Sequence, residues 1–421
     1  MDKNLKAFNN DVEVPEIVKT KADAALDMIR KEGTGKMKDT NVTNEHGKYN
    51  NKEKVDRRYL HFYKSQAAAA ACVIVLVGGG ITAVAAGFHL WSRGMQGTIQ
   101  ATPEEQQKLI DQGVAVADGT SSSNTNETDT SLSKLAVTDA GVTVAPDTVI
   151  VDDRQAHISF SVQGYDFPNG GEPFFDSWNW YLDSEIGHME LSDTGTPISS
   201  LNGGASFYNG IVPNLNEVEG VATYEDGTPL QFDENGKIID RYADDQGNLE
   251  YVVSVSAPEG TSLLGQTLHV ELGSLGTIGD KGEFSNDIDG NWNFSIQLPD
   301  VSSGKTIEVK KPIEGSDFVL EDVNISPISI QLNYSSSEKH KIVGDNMGMP
   351  WFTGIVMKDG SKYPYISNGS GGGYTDDTLT NAYETSGFAK VIDPDEVAAI
   401  LIYPCDPGKG GVDYIEIPLE N

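Results

Sequence analysis

Cysteine is nearly missing from this chain. Its 421 residues include two, Cys72 and Cys405. The first falls inside an uncharged run and the second near the C-terminus, so no pair stands ready to staple a small domain. The long C-terminal part must therefore be held by ordinary hydrophobic cores, and it is long enough for two. An exported region with so little cysteine is in keeping with a bacterial protein.

Basic charge is scarce beyond residue 88. Residues 1–66 hold 14 Lys+Arg against 11 Asp+Glu, whereas residues 89–421 hold 16 against 52. So acidic a surface repels polyanions, which excludes nucleic acid as a partner and docking of this part on anionic lipid. Outward display, or the collection of cations, is compatible with it.

Catalytic motifs are missing too. Of the histidines, His157, His188, His269 and His340 lie well away from the uncharged run, and none sits in a Ser/His/Asp, HExxH or paired-cysteine context. The run Gly371 to Gly373 is followed by Tyr374 rather than by Lys-Ser/Thr, so it is no phosphate loop. No catalytic residue, no cofactor and no enzymatic activity are expected.

What the chain does have is 22 consecutive uncharged residues, Ala67 to Phe88. A helix rises about 1.5 Å per residue, so this stretch reaches roughly 33 Å, enough to cross a bilayer core. Gly78, Gly79 and Gly80 interrupt it, but lipid forces backbone groups to bond internally, and helix is the open choice. Lys48, Lys52, Lys54, Arg57, Arg58 and Lys64 crowd the preceding side, and Arg93 follows. The positive-inside rule puts the N-terminus in the cytoplasm and the C-terminal part outside the plasma membrane. Tyr59, Phe62 and Tyr63 on one side, and Phe88 and Trp91 on the other, are expected as interfacial anchors. Too many residues precede the run for a signal peptide, so it reads as an uncleaved single-pass anchor over 67–90.

In the cytoplasmic region, 1–66, Val14-Pro15-Glu16 opens a helix that ends near Gly33. Ile17, Val18, Ala25, Met28 and Ile29 fall on its apolar arc, opposite Lys19, Asp23, Asp27 and Arg30. Either that face lies on the membrane surface or pairs weakly with itself, or it docks a partner protein.

Residues 91–134 are expected as a stalk. Thr102 caps a short helix with Pro103 at its first position, and the Ser/Thr/Asn run Gly119 to Ser133 follows. From Leu135 the pattern turns to period two. Residues 156–162, 251–257, 267–272 and 292–298 read as strands of a first β-sandwich over 135–304. Asp226-Gly227, Asn235-Gly236, Gln246-Gly247 and Asp289-Gly290 read as hairpin turns. A second, smaller sandwich over 305–421 is expected from runs at 317–323, 328–334, 351–358, 396–403 and 414–419. The expected fold is a mainly β ectodomain of two Ig-like sandwiches on one transmembrane helix, with a short helical cytoplasmic region.

Two groups in that ectodomain suggest ligands. Asp287, Asp289 and Asn291 place oxygen ligands at alternate positions, as calcium loops do, but without the glycine and terminal acid of an EF-hand. Hairpin turns of an acidic protein also produce such runs, and no metal is expected. Trp178, Trp180 and Tyr181 form the densest aromatic cluster. They serve either as a platform for a sugar or cell-envelope polymer, or as core packing.

The Val14-Pro15 helix, the basic run, the single span and the acidic β region together resemble membrane-anchored anti-sigma-factor-like proteins of Gram-positive bacteria. The stretch from Asp317 to Pro327, followed by Ile328 to Tyr334, is similar to their immunoglobulin-like terminal domain. The resemblance implies a cytoplasmic sigma factor as partner and an ectodomain that senses the envelope, and it carries over no catalytic residue. The zinc-binding His/Cys motif of one anti-sigma class is absent, since no cysteine precedes Cys72. The other function class is a surface-anchored binding or structural module whose cytoplasmic arm only sets topology. An apolar face on the first helix separates the two, because a topogenic tail needs none.

Overall fold

The computed structural model describes residues 90–118, 132–167, 171–186, 190–191, 197–216, 222–279, 282–339, 348–375, 377–404 and 413–419. All belong to one compact unit, Gly79–Asn421. The expected cytoplasmic helix with Ile17, Val18, Ala25, Met28 and Ile29, the run 67–88, and residues 119–131 of the expected stalk lie outside the described residues. So do His188, His340 and Cys405. Among the described residues no helix is long and apolar enough to cross a membrane.

The described chain is mainly β. Two short helices come first, α1 (Arg93–Thr98) and α2 (Pro103–Asp111). The first β module then runs through β1 (Ala115–Ala117), β2 (Val137–Asp139), β3 (Val142–Val151), β4 (Gln155–Gln163) and β5 (Glu172–Leu182). It continues with the short β6 (Glu190–Leu191), β7 (Pro197–Ile198), β8 (Asn202–Phe207), β9 (Ile211–Val212) and β10 (Thr223–Tyr224). Three long strands close it, β11 (Leu249–Ser256), β12 (Thr267–Ile278) and β13 (Phe284–Gln297). Its two larger sheets are ordered β1-β3-β4-β11-β8, with β2 also on β3, and β13-β12-β5, while β6 pairs with β7 and β9 with β10 in separate two-stranded sheets. Phe160, Val253 and Val255 of the first sheet and Phe175, Val270, Trp292 and Phe294 of the second share one core.

The second module comprises β14 (Lys305–Pro312), β15 (Phe318–Ile325), β16 (Ser329–Ser336), β17 (Trp351–Met357) and β18 (Lys362–Tyr363). Then come β19 (Ser367–Tyr374), β20 (Asn381–Phe388), β21 (Val397–Tyr403) and β22 (Ile415–Pro418). Its sheets are ordered β14-β15-β16-β20-β19 and β18-β17-β21-β22, around Phe318, Leu332, Tyr334, Phe352, Phe388 and Ile400.

Period-two sequence becomes strand where one face meets water. In β13, Trp292, Phe294 and Ile296 are buried while Asn293, Ser295 and Gln297 are exposed. In β4 the rule breaks. His157 and Ser159 stand at the outward positions, yet both are fully buried. Their face is covered rather than wet.

The cover comes from residues 90–118. Here the structure corrects the expected stalk, since Trp91, Met95, Ile99, Leu109, Ile110 and Val114 form a third core with Ile150, Ile328 and Val391. Those three partners come from β3 of the first module and from the second module. Trp91 is buried in protein, not displayed at a membrane interface. Helix α2 forms as its sequence predicts: Thr102 and Glu105 make a capping box around Pro103.

The turns at Gly227, Gly236 and Gly247 close as expected, each glycine N–H reaching back three residues to a carbonyl. Asp289-Gly290 does not turn. It lies within the continuous strand β13, where the ring of Trp292 occupies the space beside Gly290.

Candidate functional site

The site begins where α1 meets the first sheet. Ser92 caps α1, its hydroxyl accepting the Met95 N–H at 3.2 Å. The Ser92 hydroxyl also donates to Ser159 Oγ at 2.9 Å, and Ser159 in turn donates to Asp147 Oδ1 at 2.7 Å. One residue on, the Arg93 N–H reaches Glu250 Oε1 at 3.2 Å, and the Gly94 N–H donates to Glu250 Oε2. A Cβ at Gly94 would stand 2.9 Å from that same oxygen and 3.0 Å from Cγ2 of Val252, so a larger residue would push the carboxylate aside.

One buried acid, Glu250, and one half-buried acid, Asp147, thus lie under one short helix. Burial pushes the Glu250 carboxyl up to about 7, with Asp147 adding repulsion and the Gly94 N–H and Arg93 pulling the other way. Burial also raises Asp147, against the hydrogen bonds from Ser159, Thr148 and Ser92. The nearest cation is largely committed elsewhere. Arg93 pairs with Glu225 at 3.0 Å, donates to the carbonyls of Arg241 and Tyr242, and lies 5.4 Å from the centre of the Tyr208 ring. Beside α1 a cleft of about 270 Å³ opens between Gly97, Thr98, Glu172, Tyr208 and Tyr242.

The same segment grips the second module. Gln100 forms a parallel bridge with Lys390, donating to the Ala389 carbonyl and accepting from the Val391 N–H, both at 2.8 Å. Asn368 donates to the Thr98 carbonyl at 3.1 Å, and Lys108 pairs with Asp393 at 3.0 Å. A second clasp joins the modules directly. The fully buried Asp152 accepts from Ser326 and from Ser329 (2.5 Å), and from the N–H groups of Arg154 and Gln155. Burial raises its carboxyl despite those four donors. The joint thus gathers carboxyls with raised pKa values, backbone donors and hydroxyls where residues 90–118 meet the two modules.

The expected aromatic platform is divided by the fold. Trp180 is packed into the first core, Trp178 is 44% exposed, and Tyr181 points outward. Trp178 packs edge-on to Phe174 at 5.4 Å, and Phe174 in turn meets Phe284 at 6.1 Å. Tyr181 stacks on His269 at 4.7 Å and donates to Glu271 at 3.1 Å. His269 also links Asp183 (2.5 Å) and Ser295 (3.1 Å), a grouping no sequence motif announces. Tyr181, His269 and Ser295 are register partners on three adjacent strands, so sheet pairing alone accounts for this row.

Asp287, Asp289 and Asn291 sit on the extended strand β13 rather than in a loop. Strand geometry spaces alternate side chains about 6.6 Å apart, too far to converge on one cation. Asp287 accepts from Tyr165 at 2.8 Å, and the Asn291 N–H donates to Asp139 at 2.9 Å. Asp244, in the turn that closes at Gly247, spends Oδ1 on the N–H groups of Gln246 and Asn248. Among the described residues no group of three or more His, Cys, Asp or Glu could hold a metal ion.

Sequence reasoning missed Glu250, Asp147, Ser92 and Gly94. Ser92-Arg93-Gly94 carries a helix-capping serine, but nothing in the sequence pairs it with an acid so far along the chain.

No protein-family model matches this chain, and no curated protein matches it. A solved structure described as the crystal structure of the conserved domain protein from Bacillus anthracis is similar at 14% identity. That likeness covers 68% of this chain and 89% of the other, with a TM-score of 0.39.

Proposed function

We propose that this chain is a single-pass regulator of the plasma membrane, similar in role to anti-sigma factors. Residues 67–90 form the span in this reading, with the N-terminus in the cytoplasm. The helix presenting Ile17, Val18, Ala25, Met28 and Ile29 holds a sigma factor, and the two modules, immunoglobulin-like β-sandwiches in this reading, report on the envelope.

One observation supports this reading over that of a surface-displayed module. The chain immediately after the expected span is docked into both β modules through Trp91, the Glu250 contacts and the Gln100 bridge. A display module is served by a loose tether, which keeps it clear of the membrane and transmits nothing. A regulator needs a connection with two discrete arrangements, and a docked segment that can undock supplies one.

The test is recovery of sigma factors from lysate on the full-length chain, with Ile17→Asp/Ile29→Asp as control. Each buried isoleucine contributes about 1.5–3 kcal/mol. The double change should therefore weaken binding by a factor on the order of 100 or more, at tenfold per 1.4 kcal/mol. Equal recovery on both chains, with unchanged transcription when the β modules are deleted, would favour the surface module instead.

A further inference from the structure

We propose that the end of the three-stranded sheet carrying Phe174, Trp178 and Phe284 is a docking surface for a cationic, amphipathic peptide. The inference goes beyond the regulatory reading and does not depend on it.

The first observation is an aromatic strip that the core does not absorb. Trp178 is 44% exposed, and Phe174 and Phe284 are half-buried. The strip is built by a local break in the sheet. The β12–β13 pairing shifts register between Gly273 and Gly276, with Ser274 at φ 43°. After the shift Leu275 and Phe175 carry the core, and Phe174 is left on the outer side opposite Gly276. A Cβ at Gly276 would stand 1.8 Å from the Ser285 carbonyl oxygen and 2.9 Å from Cε2 of Phe284, so the glycine makes room for the paired strand and for the ring that meets Phe174. Trp178 then packs edge-on to Phe174 with an interplanar angle of 87°.

The second observation is charge. Strands β5, β12 and β13 contain Glu172, Asp176, Glu271, Asp287 and Asp289, and no lysine or arginine at all. Glu283 lies next to Phe284 and is exposed, as are Asp176, Asp287 and Asp289. Lys237, from the turn-rich segment, offsets Glu172. Elsewhere the protein does place cations on strands: β14 alone carries Lys305, Lys310 and Lys311. Among the described residues the sheet end is therefore apolar at its centre and mainly acidic around it, with Lys237 beside Glu172. Lys281, between β12 and β13 in sequence, lies outside the described residues.

Those two features select the occupant. A polyanion or an anionic lipid surface is repelled. A second copy of this chain would bring the same acidic sheet against itself, like charge against like. A peptide with lysines or arginines and apolar side chains matches both features, its cations attracted by the carboxylates and ring faces and its apolar groups covering the aromatic strip.

The test is calorimetric titration of the full-length chain with a synthetic peptide of alternating lysine and leucine. Comparison probes are polylysine, the same peptide with glutamate for lysine, and a neutral chitin oligosaccharide. Binding of the lysine–leucine peptide is expected, stronger than polylysine and weakened severalfold between about 50 mM and about 200 mM salt. Trp178→Ala/Phe174→Ala should lower its affinity about tenfold at unchanged net charge. Asp287→Asn/Asp289→Asn should lower it more than Glu314→Gln/Asp317→Asn, which removes equal charge from the second module. Near-ultraviolet circular dichroism confirms that each variant keeps its fold. Equal affinity in the aromatic variant, equal effects of the two charge variants, or binding of the oligosaccharide in place of the peptide would each overturn the proposal.

Discussion

Glu250 accepts the backbone N–H of Gly94, a residue 156 positions earlier in the chain. That contact ties the segment nearest the expected span to the centre of a sheet, and it does so through a group that can change its charge.

The consequence is a pH-dependent dock. The folded Glu250 carboxyl titrates at about 7, above its ordinary value of 4.5. The folded state therefore holds a proton that the undocked state gives up. Docking stability from this group is full below pH 4.5 and is lost as pH rises through 7, a change on the order of 3 kcal/mol. Asp147, also raised, acts in the same direction. Arg93, Glu225 and Asp118 are the other charged groups that face the pair. Thermal melts at about pH 5 and about pH 8 should show wild-type stability falling between them, and falling less in Glu250→Gln. Glutamine keeps one acceptor where two are used, so absolute stability drops, and the slope is the informative quantity. An unchanged slope would remove Glu250 from the dock.

Gly97 tests the same surface by shape. A Cβ there would stand 2.1 Å from the ring of Tyr208, itself buried. Gly97→Ala should cost about 1–3 kcal/mol by overpacking. Tyr208→Ala leaves a cavity and costs on its own account, but the pair should be less destabilised than the sum of the single changes. Chemical denaturation of the four chains measures that coupling; strict additivity would mean that helix and ring do not meet.

How much of this was legible beforehand differs by element. The long strands were, since Trp292, Phe294 and Ile296 alternate with polar residues over a face left in water. The turns at Gly227, Gly236 and Gly247 were, because each needs a positive φ. Asp289-Gly290 carries the same signal and means something else, since its glycine makes room for the Trp292 ring. The joint was illegible for a physical reason. His157, Ser159 and Glu250 are buried by a segment distant in sequence, and polar residues at outward strand positions ordinarily signal solvent. Trp91 misled in the opposite way, an aromatic beside an apolar run that turns inward. In the platform, Trp180 and Trp178 share the edge strand β5 and a parity, but Trp178 lies beside the register break between Gly273 and Gly276, where the core no longer covers it.

Glu384 gives a prediction inside the second module. Its Oε2 accepts the Phe352 N–H at 2.8 Å and the Tyr334 hydroxyl at 3.3 Å, while Oε1 is buried without a partner. Burial raises the carboxyl to about 8. Its proton is bound in the folded state and released in the unfolded state, so its stabilising contribution is complete below pH 4.5 and fades as pH rises through 8. Glu384→Gln keeps the acceptor and cannot ionise. It should stabilise the protein by a few kcal/mol at about pH 8 and by little at about pH 4. Denaturation midpoints at the two pH values decide it; a destabilised variant at the higher pH would mean that the carboxyl is charged in the fold.

The last prediction concerns whether the two β modules respond as one body. Asp152 belongs to the first module, and Ser326 and Ser329 flank the turn that opens β16 in the second. Asp152→Ala would leave two hydroxyls and the N–H groups of Arg154 and Gln155 without their acceptor in a buried place. Each unsatisfied buried donor costs about 1–3 kcal/mol, less wherever water enters the gap. Ile150, Ile328 and Val391 still pack together with the 90–118 segment, so the variant should fold. What it should lose is coupling. Differential scanning calorimetry of the wild-type chain is expected to give a single transition for both modules, and Asp152→Ala to split it in two, with the second module's peak near its own intrinsic midpoint. Asp152→Asn keeps one acceptor oxygen and should fall between them. If the variant lowers the midpoint yet still melts in one transition, the clasp contributes stability only, and the modules are held together by the apolar joint around Trp91.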